Sequence, residues 1–148
     1  TAGTGDNGKT VTLTGTDVNG DSQTEVITLS GSATAHAGTK YFKTITAASA
    51  SAQPAANVSI GMAGEAAEVI FAGRSRLKGI YIVNSGTAGT LDFLTTSPSG
   101  TSLMKLGTVA SATVTRDVNI PEEGVMFTDG VYIQYTVATF TTITAFHA

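Results

Sequence analysis

Lys9-Thr-Val-Thr-Leu-Thr-Gly15 and Gln23-Thr-Glu-Val-Ile-Thr-Leu29 stand on either side of Asp17-Val-Asn-Gly-Asp21 and read as two strands joined by a turn. Val11 and Leu13 alternate with Thr10, Thr12 and Thr14, so one face of the strand enters a core and the other meets water. Asn19-Gly20 suits the positive φ angles of a tight primed turn. Outward from this hairpin, residues 41–46 (Tyr-Phe-Lys-Thr-Ile-Thr) predict a third strand after a polar stretch. Residues 47–56 are small, carry Pro54 and show no apolar stripe, so they read as a connection. Asn57-Val-Ser-Ile-Gly61 predicts a short closing strand. Gly61 to Gly64 then marks a boundary, because glycine eases a change of chain direction and a new series of strands follows.

Beyond that boundary strands are expected near residues 67–72, 76–83, 90–96, 102–106, 113–120, 124–127, 131–137 and 140–146. Asn84-Ser-Gly86, Ser97-Pro-Ser-Gly100, Pro121-Glu-Glu-Gly124 and Asp129-Gly130 supply the turns. Strand starts spaced mostly by about eight to twelve residues are the pattern of sandwiches and barrels. Val131, Ile133, Tyr135 and Val137 share one apolar face, so their strand should be central or well covered. The fold expected is all-β, an antiparallel β-sandwich of immunoglobulin-like or jelly-roll-like kind, in two small modules, residues 1–62 and 63–148. Modules this small bury a modest share of their surface, and association with other copies would relieve the deficit.

Composition narrows the functions. The chain has 148 residues, 41% apolar and 13% charged, with 17 Gly and no Cys or Trp. Without Cys there are no disulfides, thiolate zinc sites or thiol nucleophiles. A net charge of −3 and the lack of a long basic cluster disfavour nucleic acid as a partner. No apolar run reaches the roughly 18 to 20 residues that span a bilayer, so no membrane partner is expected. The sequence opens at Thr1 without a charged leader and apolar stretch, and no signal peptide is expected.

Individual motifs are weak. Gly3-Thr-Gly5-Asp-Asn-Gly8 has the spacing of a dinucleotide loop but no strand before it, and reads as a flexible leader. Asp17, Asn19 and Asp21 alternate as calcium ligands do, yet Gly20 falls where a helix-loop-helix calcium loop does not want it, so a turn is expected rather than a cation site. His36 and His147 are the available neutral-pH bases, and no nucleophile elbow accompanies them. Adjacent Glu122 and Glu123 would point to different sides of a strand and read as turn solubilisers. Asn57-Val-Ser59 matches a glycosylation acceptor without a secretory context. Arg74, Arg76 and Lys78 form the one basic cluster. Alternation puts all three on one face, either a solvated edge strand or a contact to an acidic surface of a partner. No catalytic residue, metal ligand or cofactor is assigned.

Two stretches carry a resemblance. Residues 76–93, followed by Gly100-Thr-Ser-Leu, Asn119-Ile-Pro-Glu-Glu-Gly-Val-Met-Phe and Asp129-Gly-Val-Tyr, look like small virion structural proteins of tailed bacteriophages, especially marine ones. Residues 9–46 are similar to β-rich modules of phage tail, fibre and capsid-associated proteins. The resemblance carries strand and turn residues only, so no catalytic residue transfers. It implies a non-enzymatic virion protein that acts through contacts with copies of itself and with the major capsid protein or other virion proteins, best as capsid decoration. The alternative is a tail, fibre or adhesin module that offers loop tips, around Tyr41-Phe42 or residues 129–132, to a host-surface glycan.

Overall fold

The structure is a computed structural model that describes residues 4–31, 35–61, 64–111 and 113–148. Gly3, Ala33, Thr34, Met62 and Ala63, each part of a stretch weighed above, lie outside the described residues. The chain divides into two compact units, Thr1–Ala63 and Gly64–Ala148. It is all-β, and every paired strand runs antiparallel to its neighbours.

The first unit holds a 3-10 turn, Thr4–Asp6, and strands β1 (Thr10–Thr16), β2 (Ser22–Thr28) and β3 (Thr44–Ala50) in the order β2-β1-β3. Its core is small: Val11, Leu13 and Leu29, with Ile27, Phe42 and Val58 packed against them. The β1–β2 register sets Thr10 against Thr28 and Thr14 against Thr24, so threonines line the face turned from the core. Gly20 has φ 95°, but Asn19 does not share it. Asp17 explains why: its Oδ1 accepts the backbone N–H of Asn19 and of Asp21, each at 2.9 Å, and this side-chain-to-backbone turn replaces the two-residue primed turn. The loop closes through Gly20 N–H to Asp17 O and Asp17 N–H to Asp21 O.

Three expectations change here. The third strand runs over Thr44–Ala50 and not 41–46, because Phe42 turns into the core while Ala48 and Ala50 pair with Leu13 and Val11. Part of the supposed connection is therefore strand, since small residues offer no steric objection to pairing. Residues 57–61 form no strand; Val58 packs on the core instead. Thr4 to Gly8 is no loose leader either. Asp6 is fully buried, pairs with Lys9 at 3.0 Å and accepts the Ala55 backbone N–H at 2.7 Å. A buried carboxylate demands such partners, and they tie the first turn to the chain after β3.

The second unit contains β4 (Glu65–Phe71), β5 (Ser75–Asn84), β6 (Gly89–Thr95), β7 (Ser102–Thr108), β8 (Thr115–Asn119), β9 (Val125–Phe127), β10 (Val131–Thr136) and β11 (Phe140–His147). One sheet has the order β4-β10-β6-β7; the other is β11-β5-β8, with β9 continuing the line of β8 along β5. Leu77, Ile80 and Ile82 of β5 meet Leu91 and Phe93 of β6, Phe127 of β9 and Val131 and Ile133 of β10 in one cluster. Side chains from two sheets thus share a core, the arrangement of a β-sandwich. β10 is central, between β4 and β6. Its inward Ile133 is buried, as is Tyr132 on the opposite face.

β5 switches its buried parity midway. Ser75 and Leu77 are buried, then Ile80, Ile82 and Asn84. Leu77 pairs with His147 and Gly79 with Phe146, so Lys78 is skipped on the β11 side; on the other side it falls between the pairings with β9 and β8, where its carbonyl accepts the Ile120 N–H at 2.9 Å. An extra residue shifts the two-residue period by one, which lets Leu77 and Ile80 both point inward.

Candidate functional site

Arg76 and Lys78 project from β5 toward the loop between β8 and β9. Arg76 Nη2 lies 3.1 Å from Glu123 Oε2, and its Nη1 donates to the Glu123 carbonyl at 3.2 Å. Lys78 Nζ donates to the Glu122 carbonyl at 3.3 Å. Arg74 sits exposed in the bend before β5. The structure therefore brings Arg76 and Lys78 together on one loop and leaves Arg74 apart. The edge-strand reading of this cluster is corrected, for β5 is bonded on both sides. Glu123 is largely exposed, and a surface ion pair of this kind contributes about 0–1 kcal/mol.

Each histidine has a ring nitrogen beside a serine hydroxyl. His147 Nδ1 lies 3.3 Å from Ser75 Oγ, and its ring packs 5.3 Å from that of Phe71. Ser75 Oγ donates to the Ala148 carbonyl at 3.2 Å. A serine has one proton, and the Ala148 carbonyl and His147 Nδ1 both lie within its reach. His36 Nε2 accepts the Ser30 backbone N–H at 3.2 Å and lies 3.1 Å from Ser30 Oγ, so the ring braces the residues after β2. Among the described residues no group of three or more His, Asp or Glu is placed to hold a metal ion. Asp17, first of the alternating oxygens in the hairpin loop, spends Oδ1 on two backbone N–H groups.

Of the aromatics expected at loop tips, Tyr41 is half-buried in the loop before β3, and the other two turn inward. Phe42 packs on the first core, and Tyr132 is buried. An unforeseen concavity lies elsewhere, where β10 and β11 of the sandwich leave a groove of about 200 Å³ lined by Glu68, Ile133, Tyr135, Phe140, Thr141, Thr142 and Ile143. Tyr135 Oη donates to Glu68 Oε1 at 3.1 Å, and its ring meets Phe140 edge-on at 6.4 Å. Partial burial, then the negative charge of Glu68 and the hydrogen bond to it, raise the Tyr135 phenol above its usual range. The phenol thus stays protonated at neutral pH and holds the carboxylate in the groove. Glu68 and Tyr135 are 67 residues apart. Only the pairing of Glu68 with Ile133 across β4 and β10 reveals their proximity.

What the surface does show is uncovered apolar area on both units. Val26, Ile45 and Ile60 are exposed on the first; Phe71, Leu103, Val109 and Phe146 on the second. Phe146 lies over Gly79, where its ring covers backbone that has no side chain of its own. No protein-family model matches the chain, and no curated protein or solved structure is significantly similar to it, so no functional residue is carried over from a relative.

Proposed function

We propose that this chain is a non-enzymatic structural protein of a bacteriophage particle, working through contacts with copies of itself and with the major capsid protein or other particle proteins, and best placed as a capsid decoration protein. The observation that carries the reading is the exposure of Val26, Ile45, Ile60, Phe71, Leu103, Val109 and Phe146 on a chain with only 13% charged residues. Apolar area left on a surface with few charges favours association. The resemblance of residues 76–148 to small virion proteins, and of residues 9–46 to β-rich modules of phage tail, fibre and capsid-associated proteins, supplies the particle. Arg74, exposed beside β5, is the cation left for an acidic partner surface, with Arg76 and Lys78 engaged by the 121–124 loop. The test is to add the purified protein to particles stripped of decoration. Co-sedimentation with the heads and a higher temperature of capsid disruption are expected; failure to bind particles of any kind would remove the reading.

A second reading, binding of a host-surface glycan by a tail, fibre or adhesin module, is favoured by the groove at β10 and β11. The Glu68 carboxylate and the Tyr135 phenol meet there beside the Phe140 ring, and Thr141 and Thr142 belong to the same lining. Hydroxyl-bonding groups beside an aromatic ring suit one small polar ring, and the volume is below the roughly 300 Å³ of larger ligand pockets. Glycan-array binding that is lost in Glu68→Ala would support it, and an array without hits would dismiss it.

A further inference from the structure

We propose that β3 is the edge through which this protein pairs with itself: two copies align antiparallel along Thr44–Ala50, about a two-fold axis near Ala48, and merge two three-stranded sheets into one of six. This rests on the self-association reading above and names the surface that performs it.

β3 ends the order β2-β1-β3, so among the described residues no strand pairs with its other side. Ser51 N–H donates to the Thr10 carbonyl at 2.9 Å. Antiparallel alternation then turns Ser49 toward β1 and directs the N–H and C=O groups of Ala48 and Ala50 outward. All seven residues of β3 are exposed. The opposite edge of the same sheet is treated differently. The outward carbonyl of Thr24 accepts Lys40 Nζ at 2.7 Å, and Glu25 Oε1 accepts the backbone N–H groups of Thr39 and Lys40. One edge is covered by its own chain and the other is left open.

Charge selects a second copy as the occupant. A two-fold axis sets each side chain against its own kind, so a central Glu or Lys would face a like charge. Among edge strands of five or more residues, β2 carries Glu25, β4 Glu65 and Glu68, β7 Lys105, β8 Arg116 and Asp117, and β11 ends in His147. β3 carries no ionisable side chain, and residues 44–64 contain none. Edges normally bear charge, proline or cover that prevents such pairing; among the described residues β3 has none of the three. The small side chains of Ala47, Ala48, Ser49 and Ala50 add no bulk on either face of the joint.

The test uses the full chain in analytical ultracentrifugation and residue-resolved hydrogen exchange. A dimer is expected, with the Ala48 and Ala50 amides protected in it. Ser49→Lys sets like charges across the joint, and Ala48→Pro removes an outward N–H while leaving every bond to β1. Each should weaken the dimer by roughly tenfold or more, with fast exchange at Ala50 and with the Ser51 amide still protected as a sign that the sheet is intact. A wild-type chain that stays monomeric overturns the proposal, and particle binding then decides the virion reading separately. A dimer that tolerates both substitutions, with Ala48 and Ala50 exchanging freely, also overturns it and moves self-association to another surface.

Discussion

At the scale of single residues, Gly15 and Tyr135 show how local chemistry constrains each unit. A bulge separates Thr14 from Gly15 where β1 pairs with β3, and a methyl group on Gly15 would run into the Thr44 carbonyl. Because the obstacle is backbone, no rotamer change relieves it. Gly15→Ala should destabilise the first unit by about 1–3 kcal/mol, measured by chemical denaturation, with β3 amides the first to lose protection. Tyr135 acts through a proton. Its folded-state pKa lies above the unfolded value, so the stability it adds is complete below pH ~10 and fades as pH rises through the folded value. Tyr135→Phe removes the bond to Glu68 and, at this half-exposed site, should cost about 0.5 kcal/mol at neutral pH. The gap between wild type and variant should close in alkaline denaturation series; a gap that widens above pH 10 would contradict the assignment.

At the scale of elements, Asn84 decides how β5 ends. It is 1% exposed; its Oδ1 accepts the Val114 N–H at 2.6 Å and its Nδ2 donates to the Val109 carbonyl. One amide side chain therefore holds both sides of the connection from β7 to β8. Asn84→Ala removes both of these bonds at a buried position and should cost about 1–3 kcal/mol, while Asn84→Asp keeps the acceptor but sets a buried carboxylate against the Val109 carbonyl and should cost at least as much. Thermal melting of the three proteins tests the order. The turn at Asn84-Ser-Gly86 was legible in sequence, as were the β1–β2 hairpin and the strands of the second unit, because alternating apolar residues and turn chemistry agree at each. β3 was not legible. Tyr41 and Phe42 have the stronger strand propensity, yet core packing takes Phe42, and Ala47 to Ala50 pair because β1 offers a free edge. Neither the parity switch at Lys78 nor the Glu68–Tyr135 contact has a sequence signature, since each depends on cross-strand register.

At the scale of the whole molecule, the two units differ in how much apolar material they bury. The second unit sequesters Leu77, Ile80, Ile82, Leu91, Phe93, Phe127, Val131 and Ile133 between two sheets, whereas the first has Val11, Leu13 and Leu29 under a single sheet whose third strand is exposed along its length. A fully buried aliphatic or aromatic side chain contributes about 1.5–3 kcal/mol, so the difference in core size outweighs any difference in surface ion pairs. Local stability follows burial. Under native conditions the amides of β5, β6 and β10 should therefore exchange more slowly than those of β1, and the first unit should open without requiring the second to unfold. Association along β3 would narrow the difference by stabilising the folded form of the first unit through mass action. Raising protein concentration should then slow exchange in β1 while leaving β5 unchanged; equal protection of β1 and β5 in the dilute protein would show that core size does not set the order of opening.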